Sequence, residues 1–238
     1  MKITYIISDI NKALAFEWVA QYFDKNKFQL SFILLNPGNS QLEYFLQKQG
    51  IEVHQVTCRG KIDWLRATWQ TQKLLKKINP DAVHCHLLQA NIIGLTAARL
   101  VGIKKRIYTR HHSSLHHVYH KKGVFWDKLC NYLATDIVAI TKKVAEILID
   151  WEKVKKEKVN IIPHGFDLTL FEKQDEEVLN SLKLKYNLES KYPVIGVIAR
   201  FTEWKGVQYI IPAFKKLLVD YPDALLLLFN ANGDYKKK

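Results

Sequence analysis

The sequence predicts an α/β fold with a doubly wound parallel sheet, followed by the opening of a second α/β unit. Two observations support this prediction. Short apolar runs alternate along the chain with stretches of helical periodicity, and that alternation is typical of a parallel sheet with helices on both faces. The runs are also nearly continuous in apolar or β-branched residues, as expected for strands that are buried on both sides.

Seven of these runs are predicted to form the first sheet. They are residues 2–8, 28–35, 51–56, 81–86, 105–109, 136–140 and 159–162. The segment 64–78 is predicted to be a helix that stops at Asn79-Pro80, because proline cannot continue a helix. Its polar residues step by three and four and should face solvent, while the apolar remainder packs on the sheet. The polar stripe is Arg66, Gln70, Lys73 and Lys77, and the apolar remainder is Trp64, Leu65, Trp69, Leu74, Leu75 and Ile78.

A polar, charge-rich segment at 173–193 is predicted to link two domains. The first domain covers residues 1–172, and the second covers residues 194–238. The second is predicted to hold a strand, a helix and a strand, at 194–199, 206–219 and 224–229. This is one βαβ unit. Because two strands and one helix do not bury a core of ordinary size, the second domain is expected to be partial.

Composition limits the class of protein. The 238 residues are 48% hydrophobic and 25% charged, which is typical of a globular chain. No apolar run approaches the ~20 residues that a membrane span needs. The first ten residues lack the features of a signal peptide. Three widely spaced cysteines indicate no disulfide framework. A cytoplasmic location is predicted.

The formal net charge of +13 suits nucleic acid, an anionic membrane surface or a phosphorylated substrate, and charge alone does not choose among them. The sequence contains no recognised nucleic-acid-binding fold and no interleaving of aromatic and basic residues of the required type. Nucleic-acid binding is therefore not expected.

The stretch GVIARFTEWKG, residues 196–206, places two cations after a predicted strand. In open α/β sheets ligands bind beyond the carboxyl ends of the strands. Arg200 lies there, and Lys205 precedes a new helix. An arginine, a lysine and a helix N-terminus together suit a diphosphate, and Gly206 would allow its close approach. The alternative is a solvated loop that carries two cations.

The stretch IIPHGFD, residues 161–167, follows the seventh predicted strand. Gly165 in this turn permits a positive φ or the close approach of a ligand. An ordinary βα turn is the alternative explanation.

Taken together, the two stretches resemble the retaining glycosyltransferases of family 4. These enzymes have the GT-B architecture, in which two Rossmann-like domains face each other across a cleft. The residues that match are Ile162-Pro163-His164-Gly165-Phe166-Asp167 in one motif, and Ala199-Arg200 with Lys205-Gly206 in the other. Residues 80–102, 107–112 and 136–146 match the first domain in order. The resemblance implies a complete N-terminal Rossmann-like sheet plus the opening βαβ of a second Rossmann-like domain, truncated at its C-terminus.

By this resemblance, Arg200 and Lys205 would bind the diphosphate of a nucleotide-sugar donor, with Gly165 and Gly206 beside it. They would stabilise the negative charge of the leaving group, and the family's usual chemistry needs no metal and no further cofactor. His111 matches a histidine that the family places in the cleft near sugar and acceptor. His86 and His112 are predicted on the acceptor side, and a shift of one residue between His111 and His112 stays open.

Histidine is unusually frequent in part of the chain. Eight of the nine histidines lie between residues 84 and 164. A metal site that combines His84 and His86 with His111 and His112 is one alternative, because zinc needs three or four converging ligands. The stretch HHSSLHHVYH lacks a clear ligand spacing, so we predict no metal. Its later histidines are expected on an acceptor-side loop or in solvent.

The segment 123–134 is predicted to be an amphipathic helix, with Asp127 and Asn131 opposite its apolar face. The apolar face contains Phe125, Trp126, Leu129, Tyr132 and Leu133. Packing against the sheet is the favoured interpretation. Peripheral contact with an anionic membrane is the alternative, because Lys121 and Lys122 precede the helix.

The resemblance implies sugar transfer from a nucleotide diphospho-sugar to a glycan or lipid-linked acceptor, with retention, in cell-surface polysaccharide synthesis. The sequence departs from the family in two places. The loop after the first strand lacks glycine, and the chain stops at FNANGDYKKK, before the family's Glu-x7-Glu motif. A non-catalytic module that binds acceptor or membrane and needs a second polypeptide is therefore one alternative. A nucleotide-sugar 2-epimerase is another, which the ordered motifs fit less well.

Overall fold

The computed structural model describes residues 1–172 and 175–229. It divides into two compact units, Met1–Asp167 and Leu168–Lys238. The predicted domain bounds 1–172, 173–193 and 194–238 stay a prediction. Residues 173–174 of the proposed linker and 230–238 of the second domain, including the final FNANGDYKKK apart from Phe229, lie outside the described residues.

A parallel sheet of seven strands organises the first unit, in the order β3-β2-β1-β4-β5-β6-β7. The strands are β1 (Lys2–Ser8), β2 (Gln29–Asn36), β3 (Glu52–Thr57), β4 (Ala82–His86), β5 (Lys105–Arg110), β6 (Asp136–Ala139) and β7 (Val159–Ile161). All seven occur within one or two residues of the predicted bounds. The order reverses direction next to β1, which is the topological switch of a doubly wound sheet.

Seven helices connect and cover these strands. They are α1 (Leu14–Tyr22), α2 (Gln41–Lys48), α3 (Trp64–Ile78), α4 (Leu88–Leu100), α5 (Leu115–Val118), α6 (Gly123–Leu133) and α7 (Lys142–Glu146). Successive residues of a strand face opposite sides of the sheet. Accordingly Ile33 joins the core under α3 and α4, whereas Phe32 and Leu34 join the core under α1 and α2.

The predicted helix at 64–78 is present as α3, and Trp64, Leu74, Leu75 and Ile78 of its predicted apolar face contact the core, but the other two predicted residues do not. Leu65 and Trp69 are exposed, whereas Ala67, Thr71 and Leu75 are buried. The reason is packing against α4, which is rich in small residues. Small side chains on both helices allow a close approach, so Ala67 and Thr71 are buried although they are less hydrophobic than Leu65 and Trp69. The helix ends at Asn79, which has a left-handed φ of 49° before Pro80.

The polarity predicted for the 123–134 helix is wrong. Asp127 and Asn131 of α6 are buried, while Phe125 and Tyr132 are exposed. The Asp127 carboxylate lies 2.9 Å from the guanidinium of Arg110, and this partner makes burial of the carboxylate favourable where an unpaired charge would be costly. The predicted packing of this helix against the rest of the unit is observed, through Cys130 and Leu133.

The second unit contains the predicted βαβ arrangement. Strands β8 (Val194–Ile198) and β9 (Leu225–Phe229) pair in parallel, and α9 (Val207–Asp220) connects them. This βαβ unit is preceded by α8 (Glu176–Tyr186), which lies inside the predicted linker. The Asp175 side chain caps α8 by accepting hydrogen bonds from the backbone of Glu177 and Val178.

Two further features bear on the class of protein. Cys58, Cys85 and Cys130 are buried and unpaired, in agreement with the absence of a disulfide pattern in the sequence. Within the described part of the chain, no helix is long and apolar enough to cross a bilayer.

Candidate functional site

The carboxyl edge of the first sheet holds a cavity of about 980 Å³, which we call the histidine cavity. Its wall is formed by residues at or after the ends of β1, β4, β5 and β7, together with α1. Residues that line it include Tyr5, Phe16, Trp18, Tyr22, His84, His86, Thr109, His111, His164, Gly165, Phe166 and Asp167. This is the edge at which open α/β sheets bind ligands.

Four histidines form a continuous row in the cavity wall. The rings of His84 and His86 lie 4.3 Å apart, as expected for alternate residues on one face of β4. Nδ1 of His86 and Nε2 of His111 share a hydrogen bond of 3.1 Å. The ring of His111 then stacks on that of His164, with centroids 5.4 Å apart and planes inclined by 14°.

The parallel register of the sheet places the inner histidines. His86 is level with Thr109 on β5, and His111 follows β5 by one residue, so the two imidazoles meet. His84 Nε2 forms a hydrogen bond of 2.8 Å with the hydroxyl of Thr109. On the other side, Tyr5 of β1 stacks on the His86 ring at 5.5 Å.

Burial keeps His84, His86 and His111 neutral at physiological pH. Burial, followed by the proximity of His111, lowers the pKa of His84 to about 4. Burial followed by the proximity of His164 also lowers the pKa of His111 to about 4. The pKa of His86 is well below its usual value for the same main reason. A neutral imidazole can donate one hydrogen bond and accept another, so the wall is suited to sugar hydroxyls.

Aromatic side chains from α1 and from the turn after β7 form the opposite wall. Trp18 contacts Phe166 edge to face at 6.1 Å, and Phe16 contacts His86 at 4.8 Å. The hydroxyl of Tyr22 donates to Asp167 Oδ2 at 2.9 Å, which ties α1 to the IIPHGFD turn. An aromatic wall opposite a hydrogen-bonding wall suits a ligand that is part apolar and part hydroxylated.

The glycine-free loop after β1 is held by an asparagine. Asn36 accepts a hydrogen bond from the backbone of Ile10 and donates another to its carbonyl, at 3.0 and 2.8 Å. Asp9 in the same loop has a positive φ of 52°. Local side-chain bonding thus supports a sharp turn that glycine would otherwise make easy. Asn36 was missed in the sequence because it stands at the end of an apolar strand with no motif around it.

Three of the predicted site residues lie in the histidine cavity. They are His86, His111 and Gly165. Gly165 does not have a positive φ, and a side chain built on it would meet nothing within 4 Å. The positive-φ explanation for this glycine is therefore wrong. The residue leaves open space towards the cavity.

His112 points away from the histidine cavity. Its imidazole lies near Asp127 and His116, at a ring distance of 4.2 Å from the latter. Burial, followed by the charge of Arg110, lowers the pKa of His112 to about 4. Of the two neighbouring histidines, only His111 lines the cavity.

The remaining predicted site residues belong to the second unit. Arg200 follows β8, and its carbonyl accepts a hydrogen bond from the backbone of Thr202 at 2.9 Å. Lys205 ends a short 3-10 turn, and Gly206 begins α9 with a left-handed φ of 70°. Both cations thus follow β8 and precede the helix. Neither forms an ion pair with a carboxylate of the described residues.

The chain matches known proteins over most of its length. Residues 19–170 match the sequence model of Glycosyltransferase Family 4. EpsF of Bacillus subtilis (strain 168), a protein named as a glycosyltransferase, is 25% identical over 88% of this chain and 56% of its own length. The UDP-Gal:alpha-D-GlcNAc-diphosphoundecaprenol alpha-1,3-galactosyltransferase of Escherichia coli is 28% identical over 66% of this chain and 42% of its own. The chain spans about half the length of the curated relatives it matches.

Solved structures match the fold. HepE of Anabaena, in complex with UDP and glucose, has a TM-score of 0.71 at 19% identity and covers 96% of this chain and 60% of its own. A UDP-GlcNAc 2-epimerase of Methanocaldococcus jannaschii has a TM-score of 0.67 at 12% identity, over 100% of this chain and 67% of its own. The predicted GT-B type α/β fold is confirmed. Transferases and epimerases share this fold, so the fold alone does not distinguish the two classes of enzyme. The match of residues 19–170 to the glycosyltransferase family model is what distinguishes them for this chain.

Proposed function

Because the chain belongs to glycosyltransferase family 4, we propose that it acts in the transfer of a sugar from a nucleotide diphospho-sugar to a glycan or lipid-linked acceptor, with retention of configuration, in the synthesis of a cell-surface polysaccharide. The first unit would hold the acceptor and the transferred sugar, and the second unit the diphosphate. The observation that carries the proposal is the row of histidines and the aromatic side chains that line one cavity at the carboxyl edge of the sheet.

The donor diphosphate is assigned to Arg200 and Lys205. Two cations without carboxylate partners among the described residues, next to the start of α9, suit a dianionic group. They would bind the leaving diphosphate more tightly as its charge develops, which lowers the barrier for breaking the sugar–phosphate bond. The complex of HepE with UDP and glucose supports a uridine nucleotide as the first donor to test.

His111 is assigned to the reacting sugar. Its Nε2 is engaged with His86, so the other ring nitrogen is the one left for a ligand in the cavity. In a hydrogen bond between two neutral imidazoles, the nitrogen of one ring donates and the nitrogen of the other ring accepts. The tautomer of His86 therefore decides whether His111 presents a donor or an acceptor to a sugar hydroxyl. Arg200 and Lys205 would act on the leaving group, and His111 on the group that is transferred.

A lipid-linked acceptor is favoured by the aromatic lining of the cavity and by a surface patch on the same unit. The patch consists of Ile62, Leu65, Trp69 and Phe125, and we call it the α3–α6 patch. Ile62 is 94% exposed and Leu65 is 89% exposed, which is a large apolar area to leave in water. Leu65 and Trp69 are spaced by four on α3 and so share one helical face, and Ile62 precedes them in a short 3-10 turn. Trp126 contacts both Phe125 and Trp64, which connects the starts of α3 and α6.

The charges around the α3–α6 patch suit an anionic bilayer. Residues 59–77 and 121–128 contain nine lysines and arginines and two aspartates. One aspartate is paired with Arg66 at 3.0 Å, and the other is Asp127, which is buried. Each basic residue near an anionic lipid surface contributes about 1 kcal/mol to binding. We assign peripheral membrane contact to this patch, with anionic lipid as its partner.

We infer that the patch lies near the edge of the sheet that holds the histidine cavity. Ile62 and Leu65 lie at or just before the beginning of α3 and Phe125 at the beginning of α6, and in βα units the helix begins near the carboxyl end of the preceding strand. A lipid-linked acceptor held in the bilayer under the patch would thus present its head group towards the cavity.

A transfer assay tests the proposal. The protein is incubated with radiolabelled UDP-sugars and GDP-sugars and with lipid-linked acceptors extracted from bacterial membranes, and labelled lipid is counted. We expect transfer from one donor, and its loss in the Lys205→Ala variant. Lys216→Ala, an exposed lysine further along α9, is the matched control and should retain the rate. Equal transfer by the two variants would contradict the assignment of the donor site.

A further inference from the structure

A second cluster of ionisable groups lies outside the histidine cavity. At its centre, the guanidinium of Arg110 donates to Glu152 Oε1 at 2.5 Å and lies 2.9 Å from Asp127 Oδ2. All three side chains are at most 3% exposed. Asn131 donates to the other oxygen of Glu152 at 2.7 Å. The cluster joins the end of β5, α6 and the segment after α7.

Three histidines surround this cluster. Nδ1 of His116 lies 2.7 Å from Asp127 Oδ2, and Nε2 of His117 lies 3.0 Å from Glu152 Oε1. Nε2 of His112 faces Asp127 Oδ1 at 3.7 Å, which is too long for a hydrogen bond. His112 follows β5, His116 and His117 belong to α5, and all three converge on the two carboxylates.

The buried charges do not balance. Two carboxylates face one guanidinium, so the cluster carries a net negative charge when the imidazoles are neutral. A buried uncompensated charge is costly. A cation inside the cluster would offset this negative charge, and the side chains grouped around Asp127 are those that a transition metal ion prefers.

We propose that His112, His116 and Asp127 bind a divalent transition metal ion, with zinc as the best match. One ligand atom from each residue can be chosen so that all three lie within 4.8 Å of one another. Zinc bonds nitrogen and carboxylate oxygen at about 2.0–2.1 Å, so two ligand atoms on one tetrahedral ion lie about 3.3 Å apart. The 3.7 Å between His112 and Asp127 is close to this spacing, and a water molecule would complete the tetrahedron.

The surroundings hold the three ligands in place. Arg110 fixes the Asp127 carboxylate through Oδ2, as outer-shell partners of metal ligands do. A side chain on Gly123 would lie 2.6 Å from the His116 ring, so only glycine at this position lets the imidazole reach Asp127. The ion would bind Nδ1 of His116 in place of its proton, and the neutral imidazole would then carry that proton on Nε2.

The ion would link the segment after β5 to α6 and so act on structure rather than on the reaction. His112 is the direct neighbour of His111, which lines the histidine cavity. An ion at His112 would hold the backbone that presents His111. The site is distinct from the combination of His84, His86, His111 and His112 considered from the sequence, because the first three face the cavity and His112 does not.

The test is a titration of the metal-free protein with Zn²⁺ by calorimetry and with Co²⁺ by absorption spectroscopy. We expect one ion per chain and the visible absorption bands of tetrahedral Co²⁺. His112→Ala and His116→Ala should each lower zinc affinity by more than the ~100-fold typical of an outer-shell change. Gly123→Ala should lower it by about 10–100-fold, because it displaces His116 without removing a ligand. Thermal unfolding in the presence of Zn²⁺ should shift upward in the wild-type protein.

Matched controls separate this site from adventitious binding. His111→Ala removes an imidazole from the histidine cavity, and His54→Ala removes one paired with Glu52 elsewhere in the unit. Both should bind zinc as the wild-type protein does. Circular dichroism of each metal-free variant establishes that it is folded. The proposal is overturned if folded wild-type protein binds no zinc, or if His112→Ala and His116→Ala bind it with unchanged affinity.

Discussion

Nδ1 of His86 and Nε2 of His111 share a hydrogen bond of 3.1 Å, which joins the carboxyl ends of β4 and β5 in the wall of the histidine cavity. The bond orients His111 because one of its nitrogens is already committed. It also couples the tautomers of the two rings, since the donor on one side requires an acceptor on the other. His111 is thereby presented to the cavity by a buried partner instead of rotating freely.

Replacement of His111 by alanine should slow sugar transfer. Removal of the imidazole leaves a sugar hydroxyl in the cavity without its hydrogen-bond partner, which costs about 1–3 kcal/mol, and each 1.36 kcal/mol of barrier changes a rate about tenfold. We therefore expect kcat to fall by about 10–100-fold in the transfer assay, with the circular dichroism spectrum unchanged. His54→Ala is the control and should retain the wild-type rate. A kcat within about twofold of wild type in His111→Ala would remove His111 from the mechanism.

Acid should destabilise the protein between pH 6.5 and about 4. The folded state keeps His84 and His111 neutral down to pKa values of about 4, whereas the unfolded chain takes up protons near pH 6.5. The unfolded state therefore binds more protons in this window, and the free energy of unfolding decreases as the pH falls through it. Urea unfolding at several pH values measures the slope. The free energy of unfolding of His84→Gln should depend less steeply on pH. A slope identical to that of the wild-type protein would exclude His84 as a source of the pH dependence.

Removal of Arg110 should destabilise the first unit strongly. Arg110→Met leaves Asp127 and Glu152 buried without their common cation, and breaking a buried pair in this way costs about 3–5 kcal/mol. Urea unfolding measures the loss in the free energy of unfolding. Arg59→Met, at an exposed arginine, is the control and should change it little. A loss below about 1 kcal/mol for Arg110→Met, the value for an exposed pair, would show that the cluster is open to water.

The α3–α6 patch should bind anionic vesicles. Leu65→Ser should weaken sedimentation with vesicles of phosphatidylcholine containing about one third phosphatidylglycerol, because it removes apolar area from the contact. Leu184→Ser in α8 is the matched control, since Leu184 is 83% exposed and outside the patch. Vesicles of phosphatidylcholine alone should bind less protein. Equal sedimentation of the two variants would assign the contact to another surface.

The strands were predictable from the sequence because a strand buried on both faces consists of nearly continuous apolar residues. β2 is apolar at most positions and is buried from Leu30 to Asn36. The geometry of βα units places the residues that follow parallel strands at one edge of the sheet, and the segments after β5 and β7 both reach the cavity there. His111 and Gly165 line that cavity.

The buried faces of α3 and α6 were not predictable in the same way. Helical periodicity separates polar from apolar residues, but it does not reveal a polar residue that has a partner elsewhere in the chain. Asp127 is buried because Arg110 and His116 lie opposite it, and these residues come from two other segments. Leu65 is exposed because the smaller Ala67 makes the contact with the core.

The histidine-rich segment illustrates the same limit. Five histidines in residues 111–120 show no ligand spacing in sequence, and the sequence predicts no metal there. The third ligand of the proposed zinc site is Asp127, which belongs to the next helix. Two adjacent residues also face different sites, because His111 lines the histidine cavity and His112 faces Asp127. Only the folded chain shows which histidine belongs to which group.

The most direct test of the proposed sugar transfer is calorimetric titration of the protein with UDP, GDP and ADP, repeated with Arg200→Ala, Lys205→Ala and the control Lys216→Ala. The account predicts that at least one nucleoside diphosphate binds, and that both Arg200→Ala and Lys205→Ala weaken binding by about 10-fold or more, as expected for the loss of a charged hydrogen bond. Lys216→Ala should bind as wild type does. Absence of binding by all three nucleotides to the folded protein, or equal binding by all variants, would contradict the assignment of the donor site to this chain.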